Sequence, residues 1–143
     1  MMIRICKDED IDNLIVIWYN GSLQAHHFIN SSYWKSKITE MKETYIPMSE
    51  THVIISKNKI IGFISMVDNY LAALFIDKAN QKKGAGQALL NYEKKRRDIM
   101  ELKVYKDNAP AVRFYKKNGF VITQVLTDEE TNKQEYVMEW TKN

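Results

Sequence analysis

Apolar and polar positions along the 143 residues form one unbroken succession of strands and helices, without repeats, low-complexity tracts or a linker, and predict a single domain over residues 1–143. Residues 2–6 alternate as a short strand. Asp8-Glu9-Asp10 then opens a helix, because carboxylates suit the positive end of the helix dipole; Ile11, Leu14, Ile15 and Trp18 recur at helical spacing, with Gly21 near the end. A second helix is expected from about Ser32 to Tyr45, with Tyr33, Trp34, Ile38, Met41 and Tyr45 on one side and Pro47 after it. His52–Ser56 and Ile60–Val67 flank the polar triplet Lys57-Asn58-Lys59, a hairpin signature. Leu71–Ile76 is a short apolar run without helical punctuation and reads as a buried strand. After the loop Asp77–Lys83, residues Gly84–Arg97 form a helix with Ala88, Leu89 and Tyr92 inward, followed by a strand at Leu102–Tyr105. Asp107-Asn108-Ala109-Pro110 starts another helix, where proline is tolerated in the first turn, and Gly119 is placed to stop it. Phe120–Leu126 and Glu135–Trp140 close the chain as a strand pair. The order βααβββαβαββ predicts an α/β fold with a mixed sheet and helices on both faces.

Composition narrows the class. The chain is 45% hydrophobic and 11% aromatic, enough for a real core. Its first residues are too short in apolar length for a signal peptide, and no apolar run approaches the roughly 18 residues of a membrane span. A lone Cys6 can form no internal disulfide and offers no zinc-ligand pair, so it is expected as a small buried residue of the first strand. A cytoplasmic location, with no membrane partner, is the expectation.

Net charge is only +3, but its distribution is uneven. Lys78 to Lys117 contains 12 Lys/Arg against 4 Asp/Glu, a balance of +8; the rest has 9 against 14, or −5. A basic second half in a nearly neutral protein points to an anionic ligand rather than to nucleic acid, for which no binding signature is present. For Lys94-Lys95-Arg96-Arg97 alone, a solvated helix face explains as much.

The informative segment is Leu74-Phe75-Ile76-Asp77-Lys78-Ala79-Asn80-Gln81-Lys82-Lys83-Gly84-Ala85-Gly86. A strand leads into a loop, and two glycines lead into a helix. Glycines there let backbone N–H groups approach an anion, and the helix N-terminus adds partial positive charge. The string G-x-x-x-x-G-K-[ST] of a P-loop is absent, and Leu89 stands where a dinucleotide fingerprint needs a third small residue. Taken alone, the two glycines could also serve packing only.

Gln81-x-x-Gly84-x-Gly86 resembles the Q/R-x-x-G-x-G/A loop of the GNAT (Gcn5-related) N-acetyltransferases. Asn108-Ala109-Pro110-Ala111-Val112-Arg113-Phe114-Tyr115-Lys116-Lys117-Asn118-Gly119-Phe120 is similar to their second coenzyme-binding segment, N-x-x-A-x-x-F-Y-x-x-x-G-F. The resemblance extends across the chain. It is nearest to the small bacterial YiaC/YjaB-like type, which shares an H-x-F-I element, here ending in His27-Phe28-Ile29.

The resemblance implies a GNAT fold: a mixed, mostly antiparallel twisted sheet of six to seven strands, with a V-shaped splay between two parallel central strands, here Leu71–Ile76 and Leu102–Tyr105. It implies acetyl-CoA as co-substrate, with no metal, and direct transfer of the acetyl group to a primary amine in a ternary complex. Backbone groups of Leu74, Phe75 and Ile76 would bond the pantetheine as an added strand would. Gln81, Lys82, Lys83, Gly84, Ala85, Gly86 and Gln87 would wrap the pyrophosphate, and Asn108 would position the pantetheine amides or an ordered water. Tyr115 occupies the general-acid position. A phenol with a pKa near ~10 suits protonation of a leaving alkyl thiolate with a pKa near ~8.5. Cys6, remote from both motifs, gives no reason for an acyl-enzyme.

A base is also needed, since amines are mostly protonated at neutral pH. Some relatives carry a glutamate four residues before the Leu74 position, where this chain has Tyr70. Glu43, Asp68, His27 and a water chain stay open as alternatives. His26 and His27 read as wall residues near the acceptor, which His27, Phe28, Tyr33 and Tyr70 are expected to contact. Trp18, Tyr19, Phe28, Tyr33 and Trp34 could line an aromatic groove, or belong to the core. The acceptor stays open among a protein lysine, a protein N-terminus and a small-molecule amine. A non-catalytic acyl-CoA-binding regulator is the alternative function, and the chain is expected as a monomer or homodimer.

Overall fold

The computed structural model describes Met1–Asn143. Strand β1 (Met2–Ile5) leads through a 3-10 turn at Asp8–Asp10 into α1 (Ile11–Ala25), then α2 (Ser31–Ser36). A helical stretch follows, made of α3 (Ile38–Glu40), a π-turn at Met41–Tyr45 and α4 (Ile46–Met48). Next come β2 (Glu50–Ser56), β3 (Lys59–Val67), β4 (Tyr70–Ile76), α5 (Ala85–Lys94), β5 (Ile99–Tyr105), α6 (Ala109–Lys117), β6 (Val121–Asp128) and β7 (Lys133–Thr141). The seven strands form one sheet in the order β1-β2-β3-β4-β5-β7-β6, in which only β4 and β5 are parallel.

Several boundaries differ from the expected ones for physical reasons. Helix α1 runs past Gly21 because that glycine serves close packing: a Cβ there would lie 2.6 Å from Cδ1 of Phe75. The second helical region continues beyond Tyr45 and through Pro47. A proline inside a helix removes one N–H and crowds a carbonyl of the preceding turn, and the wider π-turn just before it accommodates both. The β2–β3 hairpin closes on Lys57 (φ 53) and Asn58 (φ 63), both left-handed, the backbone of a tight two-residue turn. Cys6 lies just past β1 rather than within it. It is half-buried, its thiol donates to the Lys7 carbonyl at 3.3 Å, and burial pushes its pKa up to about 11.

The sheet separates two cores. One face packs Ile54, Ile64, Leu71, Leu102, Val104 and Met138 against Leu89 and Leu90 of α5 and Val112 and Tyr115 of α6. The other packs Val53, Phe63, Ala73 and Tyr105 against Leu14, Ile17 and Trp18 of α1 and Trp34 of α2. The sheet therefore sits between two independently filled layers.

Candidate active site

β4 and β5 join at one rung, Tyr70 with Glu101, next to a bond from the Glu101 N–H to the Asn69 carbonyl at 2.9 Å. Beyond that rung the strands part, while each stays paired on its outer side. Leu74, Phe75 and Ile76 pair with Ile64, Phe63 and Gly62 of β3, and Leu102–Tyr105 pairs with β7. The cause is local. Ser65 pairs with Ala73 and Met66 with Leu71, so Ala72 is an extra residue, and such a β-bulge bends its strand. A V-shaped slot results, in the place expected, with unpaired backbone on its β4 side.

The loop beyond Ile76 is shaped by its own polar side chains. Asn80 Nδ2 donates to Asp77 Oδ2 at 3.0 Å, and Gln81 Nε2 donates to the Ile76 carbonyl at 3.1 Å. Gln81 thus ties the loop to the end of β4. Lys82 (φ 64) and Gly84 (φ 88) are left-handed, and Gly84 is the N-cap of α5. The first bond into α5 runs from the Ala88 N–H to the Gly84 carbonyl at 3.0 Å, so the N–H groups of Ala85, Gly86 and Gln87 precede it as free donors. A Cβ built on Gly84 would meet nothing within 4 Å; it would project into the open space that these donors face. This is an anion cradle able to take a pyrophosphate. Lys82 and Lys83 are exposed beside it, and Lys57 and Lys59 of the hairpin tip share a cleft with Asn80 and Lys83. Sequence spacing gave no sign of those two hairpin lysines, because only the antiparallel register of β3 on β4 sets the hairpin tip beside the loop that follows Ile76.

Not all of the basic charge faces the cradle. At the far end of α5, Arg97 Nη1 pairs with Glu93 Oε1 at 2.7 Å, and Arg96 Nη2 pairs with Glu50 Oε1 at 3.0 Å. His52 Nδ1 lies 3.4 Å from Glu93 Oε2, and Glu93 is 0% exposed. Two guanidiniums already balance the two carboxylates, so this cluster is an ion-pair network joining α5 to β2. Lys94 lies over the rings of Phe120 and Trp140 at 5.8 and 5.1 Å. Lys94, Arg96 and Arg97 are therefore structural, and the expectation of a ligand-directed basic stretch narrows to the loop.

Tyr115 sits on α6 with only 8% of its surface exposed, packed edge-on against Phe114 and Phe120 at 5.3 and 5.4 Å. Burial drives its pKa well above the ordinary phenol value, which keeps the proton on oxygen. Asn108 is buried at the N-cap of α6, its Oδ1 accepting the Ala111 N–H at 3.4 Å. Its Nδ2 lies 3.4 Å from His26 Nε2. His26 fills the interior of this wall. It stacks on Trp34 at 4.9 Å and meets Phe28 and Tyr105 edge-on at 5.9 and 5.2 Å. Burial lowers its pKa to about 4, so it is a neutral imidazole. His27 is exposed and touches Phe28 edge-on at 5.7 Å. Trp18 and Trp34 are core residues, whereas Phe28 and Tyr33 are partly open.

The side of the slot facing α1 and α2 is acidic. Strand alternation puts Glu101, Lys103 and Tyr105 on one face, and their β7 partners are Glu139, Val137 and Glu135. Tyr105 Oη donates to Asp128 Oδ2 at 2.5 Å, and the Thr131 hydroxyl donates to the same oxygen at 3.0 Å. Burial pushes Asp128 upward, but these bonds and the Glu130 N–H outweigh it and hold the carboxyl below its ordinary range. Tyr33 Oη donates to Glu130 Oε2 at 2.7 Å, and Lys37 pairs with the same oxygen at 3.0 Å, tying α2 to the β6–β7 turn. Tyr70 is raised in pKa by burial, then by Glu135 and Glu101. Of the open base candidates, Glu43 is exposed in the π-turn. Asp68 lies in the β3–β4 turn against Arg97, at the opposite end of β4 from the cradle. Neither is placed to serve the slot.

Residues 47–122 match the family model for the acetyltransferase (GNAT) domain. The chain is 29% identical over 140 residues to the peptidyl-lysine N-acetyltransferase YiaC of Escherichia coli (strain K12), covering 97% of this chain and 96% of that protein. The solution structure of apo-form YjaB from Escherichia coli superposes with a TM-score of 0.87 at 23% identity, over 99% of this chain and 98% of that one. The PaiA N-acetyltransferase of Thermoplasma acidophilum, solved in complex with coenzyme A, superposes with a TM-score of 0.81 at 24% identity, over 99% and 100%. No helix of this chain is long and apolar enough to cross a membrane.

Proposed function

The chain belongs to the acetyltransferase (GNAT) family, and from that premise we propose that it moves the acetyl group of acetyl-CoA to the side-chain amine of a protein lysine. The observation that carries the acceptor is the change of sign across the slot. Cations gather at the Gly84 loop, where an anionic coenzyme would lie. Carboxylates gather on the α1–α2 side, where a cationic amine would enter. The chain's similarity to YiaC, a peptidyl-lysine N-acetyltransferase by name, supports the same acceptor.

In this reading the pantetheine lies along Leu74–Ile76 as an added strand, and one N–H of that segment faces the thioester oxygen. The free donors of Ala85–Gln87, with Lys82 and Lys83, hold the pyrophosphate. Asn108 fixes the start of α6 beside the pantetheine. The amine attacks the thioester carbon, negative charge develops on oxygen, and the backbone N–H stabilises it. As the C–S bond breaks, Tyr115 gives its proton to sulfur. His27, Phe28, Tyr33 and Tyr70 border the entry for the acceptor.

The test is thiol release and mass change with acetyl-CoA and three acceptors: a lysine peptide with a blocked N-terminus, a lysine-free peptide with a free N-terminus, and a polyamine. Acetylation of the blocked lysine peptide is expected. Transfer confined to the α-amine or the polyamine would overturn the lysine assignment.

A further inference from the structure

We propose that Glu135 is the general base, the group that takes the proton from the acceptor's ammonium; this rests on the amine-acetylation reading above. Three observations lead to it.

The first is position. From the Tyr70–Glu101 rung, Leu71 is level with Leu102. Counted on from that rung, with Ala72 taken up by the bulge, Phe75 corresponds to Tyr105. Tyr105 is the β5 partner of Glu135. Glu135 therefore lies level with the backbone that would face the thioester, on the face opposite Tyr115 and α6. Glu101 and Glu139, also on the acidic face, lie back at the closed end of the slot.

The second is availability. Asp128 is committed to Tyr105, Thr131 and the Glu130 N–H, and Glu130 to Tyr33 and Lys37. Glu135 is half-buried and makes no side-chain hydrogen bond or ion pair. A desolvated carboxylate with uncommitted lone pairs is what a proton acceptor needs.

The third is electrostatic setting. The groups around it are Asp128 from β6, Lys103 and Tyr105 from β5, Tyr70 from β4, and Tyr33 from α2, whose hydroxyl is held by Glu130 beside Lys37. Burial and then Asp128 raise its pKa, against an opposing effect of Lys103. Its affinity for a proton therefore rises toward that needed to deprotonate an amine near neutral pH.

The step balances. The ammonium passes one proton to the Glu135 carboxylate, directly or through one water. The freed nitrogen lone pair forms the C–N bond and the C–S bond breaks. Sulfur takes the Tyr115 proton, and the second nitrogen proton returns to the Tyr115 oxygen. Glu135 then releases its proton to solvent, so the net products are amide, free thiol and one proton.

The experiment compares wild type with Glu135→Gln, which keeps shape and removes the base. The readouts are kcat/KM for the lysine peptide from pH 6 to 10, acetyl-CoA Kd and melting temperature. The expected result is a loss of about 10²-fold or more near neutral pH that shrinks as pH rises and free amine accumulates, with Kd and melting temperature unchanged. Aspartate at the position should restore part of the rate. A Glu135→Gln profile that follows wild type overturns the proposal, as does a loss carried by Glu101→Gln instead. Wild type that acetylates no amine overturns the functional reading and the base with it, and is recognised before any variant is compared.

Discussion

Tyr70 and Glu101 form the one rung that joins the two parallel strands, and every later residue of β4 faces the slot without a β5 partner. A coenzyme laid in the slot would supply the missing partners. Hydrogen exchange should therefore show gap-facing amides of Leu74–Ile76 slowing at least tenfold on addition of acetyl-CoA, while β3-facing amides stay as they were. Equal protection with and without coenzyme would remove this edge from the binding site.

Gly84→Glu should abolish acetyl-CoA binding in a folded protein. The new side chain would occupy the open space at the α5 N-terminus and set a like charge against the pyrophosphate. Its left-handed backbone adds a cost of about 1–2 kcal/mol for any side chain with a Cβ. Gly86→Ala should be mild, since a Cβ there meets only Ile76 and Phe114 at 3.7 and 3.8 Å. Calorimetric titration and thermal melts on both variants separate affinity from stability.

Tyr115→Phe should lower kcat by about 10²–10⁴-fold while leaving acetyl-CoA Kd nearly unchanged, because the phenol proton is needed only as sulfur departs. The ring contacts with Phe114 and Phe120 survive the change, so the melting temperature should hold. Full turnover with normal binding would place the acid elsewhere.

Glu93→Ala should cost about 3–5 kcal/mol in denaturant unfolding, since it leaves the Arg97 guanidinium without its closest partner in a buried network. The network lies at the far end of α5 from the cradle. Coenzyme affinity of the protein that remains folded should therefore be near normal.

His26 sets a pH dependence. Its folded pKa of about 4 lies below the ordinary histidine value, so the unfolded chain binds the proton more readily. Stability is thus intact above about pH 6.5 and declines as pH falls toward 4, by up to about 3 kcal/mol for this group. Denaturant midpoints at pH 7.5, 6 and 5 should fall in that order, and His26→Phe should flatten the slope.

Much of this was legible from local sequence. The apolar run Leu71–Ile76, the two glycines after it and the Asn108–Phe120 segment carry their meaning in spacing alone, and the slot, the cradle and the α6 start lie where they indicate. What was not legible depends on pairing between distant segments. Glu135 reads as one more polar residue until β7 is set beside β5 in register. Arg96 and Arg97 read as a solvated pair until β2 brings Glu50 and His52 beneath them. His26 and His27 are neighbours of one type, and only the packing of Trp34 and Tyr105 decides which turns inward. Gly21 and Pro47 mislead for the same reason: each resembles a helix stop, and each is absorbed by a tertiary contact or a widened turn.

Ala72 has no chemistry of its own, yet it governs the parity of β4. Ahead of it Leu71 points to the α5 core, and past it the even-numbered Leu74 and Ile76 do, with Ala73 and Phe75 turned to α1. Remove that one residue and the alternation runs straight through. Leu74 and Ile76 would keep the face of Leu71, and Phe75 that of Ala73, but without the bend of the bulge the strand would be free to zip onto β5 along its length. A single alanine inserted into a regular ribbon is thus the difference between a continuous sheet and one that opens to admit a substrate.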